Sequence, residues 1–472
     1  MSTFNNGFIQ SGDGNLNEPV HVGRPGQQVV FSSINPSESY LAKYPTIESV
    51  PADFNGTVDI VTPTYRATVK GDGTTKYTTG VGAVSDRPTA ADFGVGTWQD
   101  GGITYNSNGV GWGNTTATAT NMQLVDFRAA VAKTQAGLSN TTILEIGDST
   151  TRGSGAATLD AGARQLAPTD VLARRLIDAG ISANVSSQIG GSGVTLVADL
   201  ANYNPTVSVG AGWSFQAVAS ISQRLTNSTT VNPIDFTPLD AAGAPLVFDT
   251  IEVYYIQYVS YARLTIGVDG GAAAFTSTPA NGPIVEKATA TVALGTHTVN
   301  IAKHAADAAK IMTVIGWVCY DSTKKQVLCL NAGIAGKAIG TMGSNPGYTT
   351  AFSEIEIIQP HLSIINCCIN DSGALTNTST YRSLLQGLIT KCLLYGSVIL
   401  RPGNPVQPRD MEPYLSINRE LASANNIPII DLSDMYGDYN TYNDLGMMYD
   451  LLHPNNIGYQ DIGNIVAKAI TP

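Results

Sequence analysis

From residue 142 to the C-terminus, short runs that are apolar at every position alternate with segments whose apolar residues recur every third or fourth place. A strand apolar on both faces must be covered on both faces, so this rhythm belongs to a parallel sheet layered between helices. Strands are expected at residues 143–146, 326–330, 362–369, 397–400 and 427–432. Helices are expected at 121–137, 169–180, 380–394, 411–425 and 457–470. The rhythm breaks once, between about residues 204 and 320. There Ile251, Val253 and Tyr255 alternate with polar neighbours, as do Leu264, Ile266 and Val268, then His297, Val299 and Ile301. Asp269-Gly270-Gly271 marks a turn among them. Period-two patterning of this kind predicts an antiparallel β-sandwich inserted into the α/β unit.

Residues 1–120 have a different texture, rich in Gly, Asn, Thr and Pro. Short β-type runs such as Gln28-Val29-Val30-Phe31 and Val58-Asp59-Ile60-Val61 are separated by dense turn signals. Phe93, Trp98, Tyr105 and Trp112, spaced by glycines, read as core plugs in preference to exposed sugar platforms. So small a core points to support from partner chains or from docking. The expected organisation is therefore a β-rich region at 1–120, the α/β unit at 121–204 and 321–472, and the inserted sandwich at 205–320.

Charge removes several function classes. The net charge is −11 and no basic run is present, so nucleic acid is not an expected partner. No apolar run is long enough to insert into a membrane. The polar stretch at residues 1–17 does not resemble a secretory signal peptide. The five cysteines follow no metal spacing and no disulfide framework. Cys367, Cys368 and Cys392 lie in apolar runs and read as buried thiols.

Four short blocks carry possible chemistry. Gly147-Asp148-Ser149 directly follows the strand at 143–146, where a parallel sheet presents its site. Asn331-Ala332-Gly333-Ile334-Ala335-Gly336 follows the strand at 326–330, and Gly333 could offer an N–H at close range. Asn370-Asp371 ends the strand at 362–369, and the Asn370 amide is a neutral donor suited to an oxyanion. Asp450 stands three residues before His453, which Pro454 follows, just before the last helix. A tight turn there would let the carboxylate reach Nδ1 and leave Nε2 for a serine. Taken singly, each block is more often an ordinary turn. Their order and their common place at strand exits are what count.

In that order the blocks resemble the SGNH hydrolase family, also called GDSL esterases. The resemblance covers about residues 140–204 and 321–472. It implies a flavodoxin-like three-layer α/β fold, Ser149 as nucleophile, His453 as base and Asp450 as its partner. It implies an oxyanion site from the Ser149 and Gly333 N–H groups and the Asn370 amide. A rival glycine block at 189–193 leaves Gly191 as an alternative to Gly333. The chain departs from the family pattern at Cys368, where a glycine is usual, and in the 184 residues separating Ser149 from Gly333. No metal or cofactor is required by this chemistry.

Family alone does not set the substrate. A large β-insertion between the first two blocks is similar to that of bacteriophage tailspike polysaccharide deacetylases. The resemblance implies an acetylated bacterial surface polysaccharide as substrate and a homotrimer located on the virion. It also implies attachment to a phage tail or baseplate protein through residues 1–120, with a carbohydrate-binding-like insertion. Two alternatives remain: a receptor-binding tail protein that no longer catalyses, and a bacterial carbohydrate esterase unrelated to phage.

Overall fold

The computed structural model describes residues 124–156, 166–187, 189–190, 200–203, 206–216, 220–279, 281–343 and 349–471, with the backbone of short strands inside 2–114. The chain divides into two compact units, residues 1–119 with a few C-terminal residues, and 120–432 with 437–471. In the first unit, Val20–Arg24, Gln27–Ser32, Thr57–Val61, Arg66–Lys70 and Thr75–Tyr77 form a five-stranded antiparallel meander. The side chains of Phe93, Trp98, Tyr105 and Trp112 lie outside the described residues.

The second unit is built on a five-stranded parallel sheet. Its strands are β1 (Thr141–Gly147), β2 (Ala183–Asn184), β3 (Val327–Gly333), β4 (Leu362–Ile365) and β5 (Ser397–Leu400), in the order β2-β3-β1-β4-β5. Eight helices matter here: α1 (Val125–Gln135), α2 (Ser149–Arg152), α3 (Pro168–Asp178), α4 (Ala351–Ile358), α5 (Ile369–Ala374), α6 (Thr378–Leu393), α7 (Glu412–Ala424) and α8 (Asn456–Ile470). Leu144 and Ile146 point from β1 into a core shared with Ile355 of α4, Leu385 and Leu388 of α6, and Leu415 of α7. The opposite face of β1 carries Glu145, which accepts a hydrogen bond from Thr169 of α3. Side chains alternate along a strand, so the sheet is covered on both faces, as its wholly apolar runs require.

Two predicted strands are shorter than their apolar runs. The one expected at 362–369 ends at Ile365, because Cys368 adopts φ 104° and the chain turns into α5 at Ile369. The one expected at 427–432 is reduced to a single bridge between Leu400 and Ile429. All five cysteines are buried free thiols.

The insertion is a sandwich of two five-stranded antiparallel sheets. One contains Val207–Val209, Ile234–Phe236, Val299–Lys303, Leu264–Val268 and Phe275–Thr276. The other contains Trp213–Phe215, Leu225–Asn227, Met312–Tyr320, Phe248–Gln257 and Ile284–Gly295. Phe236 and Trp317 stack across the gap with centroids 4.4 Å apart. The two central strands of the second sheet, Phe248–Gln257 and Met312–Tyr320, are buried at nearly every position. Val253, Tyr255, Val314 and Trp317 fill the sandwich core. Tyr254, Ile256, Ile315 and Val318 join the core of the α/β unit instead. A buried ion pair adds direction to this apolar seam. Glu354 of α4 accepts from Arg224 Nε at 2.7 Å, from the Ser220 and Ser222 hydroxyls, and from the Ile221 N–H.

Candidate active site

β1 delivers its last residues to the carboxyl edge of the sheet. Gly147 is needed there, because a Cβ would come within 2.2 Å of Thr151 Oγ1 and 2.9 Å of the Asn366 carbonyl oxygen. Asp148 caps the short helix α2: its Oδ1 accepts from the Thr150 N–H and the Thr150 hydroxyl, both at 2.8 Å. Ser149 is thus the first residue of α2. Burial pushes the Asp148 carboxyl up, against the hydrogen bonds from Thr150 that pull it down.

A polar layer beneath fixes this turn. Asn366 Nδ2 donates to Thr150 Oγ1 at 2.7 Å and to Thr151 Oγ1 at 2.9 Å. Arg401, fully buried at the end of β5, pairs with Glu145 and also reaches Thr151 Oγ1 at 3.3 Å. None of Asn366, Arg401 and Glu145 was singled out from sequence. The available signal was a polar residue standing inside an otherwise apolar run, as in Leu144-Glu145-Ile146 and Ile365-Asn366-Cys367.

His453 is held by its own loop. Asp450 Oδ1 accepts from the Leu452 and His453 N–H groups at 2.7 Å each. Its carboxylate also faces His453 Nδ1, at 2.9 Å from Oδ2 and 3.1 Å from Oδ1. Partial burial would raise the Asp450 carboxyl, but the hydrogen bonds from the ring and the two amides outweigh it and hold it low. With Nδ1–H committed to the carboxylate, Nε2 is left to accept, and it lies 3.0 Å from Ser149 Oγ. Pro454 lies outside the last helix. Asn455 is the cap of α8, bonding the Ile457 and Gly458 N–H groups, so Pro454 precedes it.

The two loops also interlock away from the polar groups. Gly155, at φ 92°, packs so closely that a Cβ would be 2.7 Å from the Pro454 carbonyl oxygen and 3.0 Å from His453 Cβ. Tyr459 of α8 donates its hydroxyl proton to the Ser154 carbonyl at 2.6 Å.

The expected oxyanion donors fare differently. The Ser149 N–H opens α2 and has no acceptor among the described residues, as helix-start amides lack one within their helix. Asn370 lies in the first turn of α5, and one of its two amide N–H donors goes to the Lys337 carbonyl at 3.0 Å. The second donor remains available, and the first bond orients it. Gly333 differs from both. Its single N–H is donated to Asn331 Oδ1 at 2.9 Å, so it is already spent within the turn. What the position requires is the absence of a side chain, since a Cβ would lie 2.2 Å from the Arg152 amide nitrogen. Gly191 lies outside the described residues.

A serine hydroxyl against an imidazole, itself against a carboxylate, is an arrangement that can transfer an acyl group. The sequence matches no family model and no curated protein. The structure is similar to that of a peptidoglycan O-acetylesterase, with TM-score 0.53 and 13% identity over 75% of this chain and 96% of that one. A family two carbohydrate esterase from Cellvibrio japonicus also matches, at TM-score 0.23 and 10% identity over 56% of this chain and 94% of that one. The likeness in fold rests on the first. The chain shares the fold of that protein, a three-layer parallel α/β unit interrupted by an antiparallel β-sandwich.

Proposed function

We propose that the chain is a serine carbohydrate esterase that removes O-acetyl groups from a bacterial surface polysaccharide. The observation that carries this reading is the unbroken relay from Ser149 Oγ to His453 Nε2 at 3.0 Å and from Nδ1 to Asp450 at 2.9 Å. Ser149 Oγ attacks the acetyl carbonyl as its proton passes to His453 Nε2. The oxyanion that forms meets the Ser149 N–H and the second Asn370 N–H. The tetrahedral species collapses, the sugar oxygen takes the proton from His453, and acetyl-Ser149 remains. Water then attacks with His453 as base, releasing acetate and restoring the hydroxyl. Asp450 keeps the ring in the required tautomer throughout.

The finer reading is a phage tailspike or tail fibre, a homotrimer joined to the virion through residues 1–120. It is supported by the place of the inserted sandwich between the serine block and the rest of the site, and by a separate β-rich unit ahead of it. The test is acetate release from p-nitrophenyl acetate and then from capsule or O-antigen preparations, comparing wild type with Ser149→Ala. The expected loss is roughly 10³-fold or more. A wild-type protein that binds cells but releases acetate from no ester would overturn the enzymatic reading. A monomer in solution that binds no glycan would overturn the tailspike reading.

A further inference from the structure

The loop after β5 reaches the same sheet edge as Ser149 and is tied to both sides of the site. Asn404 Nδ2 donates to the Leu452 carbonyl at 3.2 Å, and the Gln407 N–H donates to the Leu451 carbonyl at 3.0 Å. These are the two residues immediately before His453. Two residues beyond Gln407, Arg409 Nη1 donates to the Ile369 carbonyl at 2.7 Å, next to Asn370. Its guanidinium lies on Gly373 so closely that a Cβ there would be 2.6 Å from Cζ. Arg409 is half-buried and held in place, yet among the described residues its Nε and Nη2 meet no acceptor and no carboxylate. The neighbouring Asp410 carboxylate is turned to the Glu412 N–H instead. An arginine fixed flat with one edge unused is a prearranged fork for an oxyanion, and the ordering it would otherwise need on binding is already made.

We infer that Arg409 is a substrate-binding residue that recognises the carboxylate of an acidic sugar beside the acetylated position. This rests on the esterase reading and names its substrate class as a uronate-bearing glycan. In a chain of net charge −11, a placed cation next to Asn370 is what would let such a glycan approach.

The test uses the full chain and two chemically acetylated polymers, polygalacturonate and dextran. For Arg409→Gln, KM on acetylated polygalacturonate should rise about tenfold more than on acetylated dextran, with Arg409→Lys between it and wild type. The selectivity should fade as salt is raised. Equal losses on both polymers would make Arg409 a support for α5, and no loss on either would make it inert; each overturns the inference. Calorimetric titration with trigalacturonate keeps the two readings apart, because it needs no turnover. Binding by wild type that Arg409→Gln weakens supports the site even if no ester is cleaved, and absence of binding overturns it even if Ser149 proves catalytic.

Discussion

The Tyr459 hydroxyl donates to the Ser154 carbonyl at 2.6 Å, which fastens the segment carrying Ser149 to the helix that follows His453. Ser149 and His453 are 304 residues apart in the chain, and this bond with the Gly155 contact sets their separation in space. Gly155→Ala should therefore lower kcat by about 10²-fold, because the added methyl must displace His453 or Pro454 and φ 92° suits it poorly. Tyr459→Phe should cost about 1 kcal/mol of stability and a smaller part of kcat. Steady-state kinetics beside a denaturant melt checks both. Wild-type kcat in Gly155→Ala would refute the interlock.

Asp450 leads to a pH prediction. Its folded carboxyl is held below the ordinary value of 3.8, so its stabilising contribution is fully present above that value. The contribution is lost only as pH falls through the lower folded value. Asp450→Asn should lose roughly 10³–10⁴-fold in kcat at neutral pH, since the amide favours the wrong tautomer. Its melting temperature should lie below that of wild type at neutral pH, and the gap should close in strong acid. A gap that widened on acidification would contradict this sign.

Glu354 makes the opposite kind of demand. It and Arg224 are fully buried, so Glu354→Gln leaves a guanidinium without its counter-charge. The expected cost is about 3–5 kcal/mol, read as a lower denaturant midpoint. A change under about 1 kcal/mol would show that the seam does not depend on this pair.

The thiols offer an inexpensive check of the core. All five are buried, and burial pushes Cys319, Cys367, Cys368 and Cys392 well up from the ordinary thiol range. The native protein should react with none of them in a thiol-disulfide reagent assay, and with all five after denaturation. Prompt labelling of the native chain would mean that a core region opens.

Much of the fold was legible because burial leaves a direct trace. Strands covered on both faces wrote themselves as Ile143-Leu144 and Val398-Ile399-Leu400, and helices as three- and four-residue spacings. Ser149 draws attention because it directly follows a strand, and Asp450 and His453 because they stand three residues apart shortly before the last helix; the structure brings the three side chains together. What was not legible depends on single torsions and single hydrogen bonds. Nothing in the apolar string around Cys368 announces φ 104°, so the string runs past the true end of the strand at Ile365. The glycine pattern at 333 indicates close packing, but not that Asn331 would take its N–H. Asn366 was hidden because a buried polar residue is informative only once its partners in α2 are known.

The central strands of the second insertion sheet are buried toward the sandwich and toward the α/β core alike. Genetic exchange of this segment with that of a distant homologue would strip Tyr254, Ile256, Ile315 and Val318 from the hydrolase interior. Such chimaeras should misfold, because the α/β core loses those four buried side chains. Specificity in a lineage built on this scaffold would then drift through point changes in the loops at the sheet edge, while the sandwich and the α/β unit are inherited as one piece.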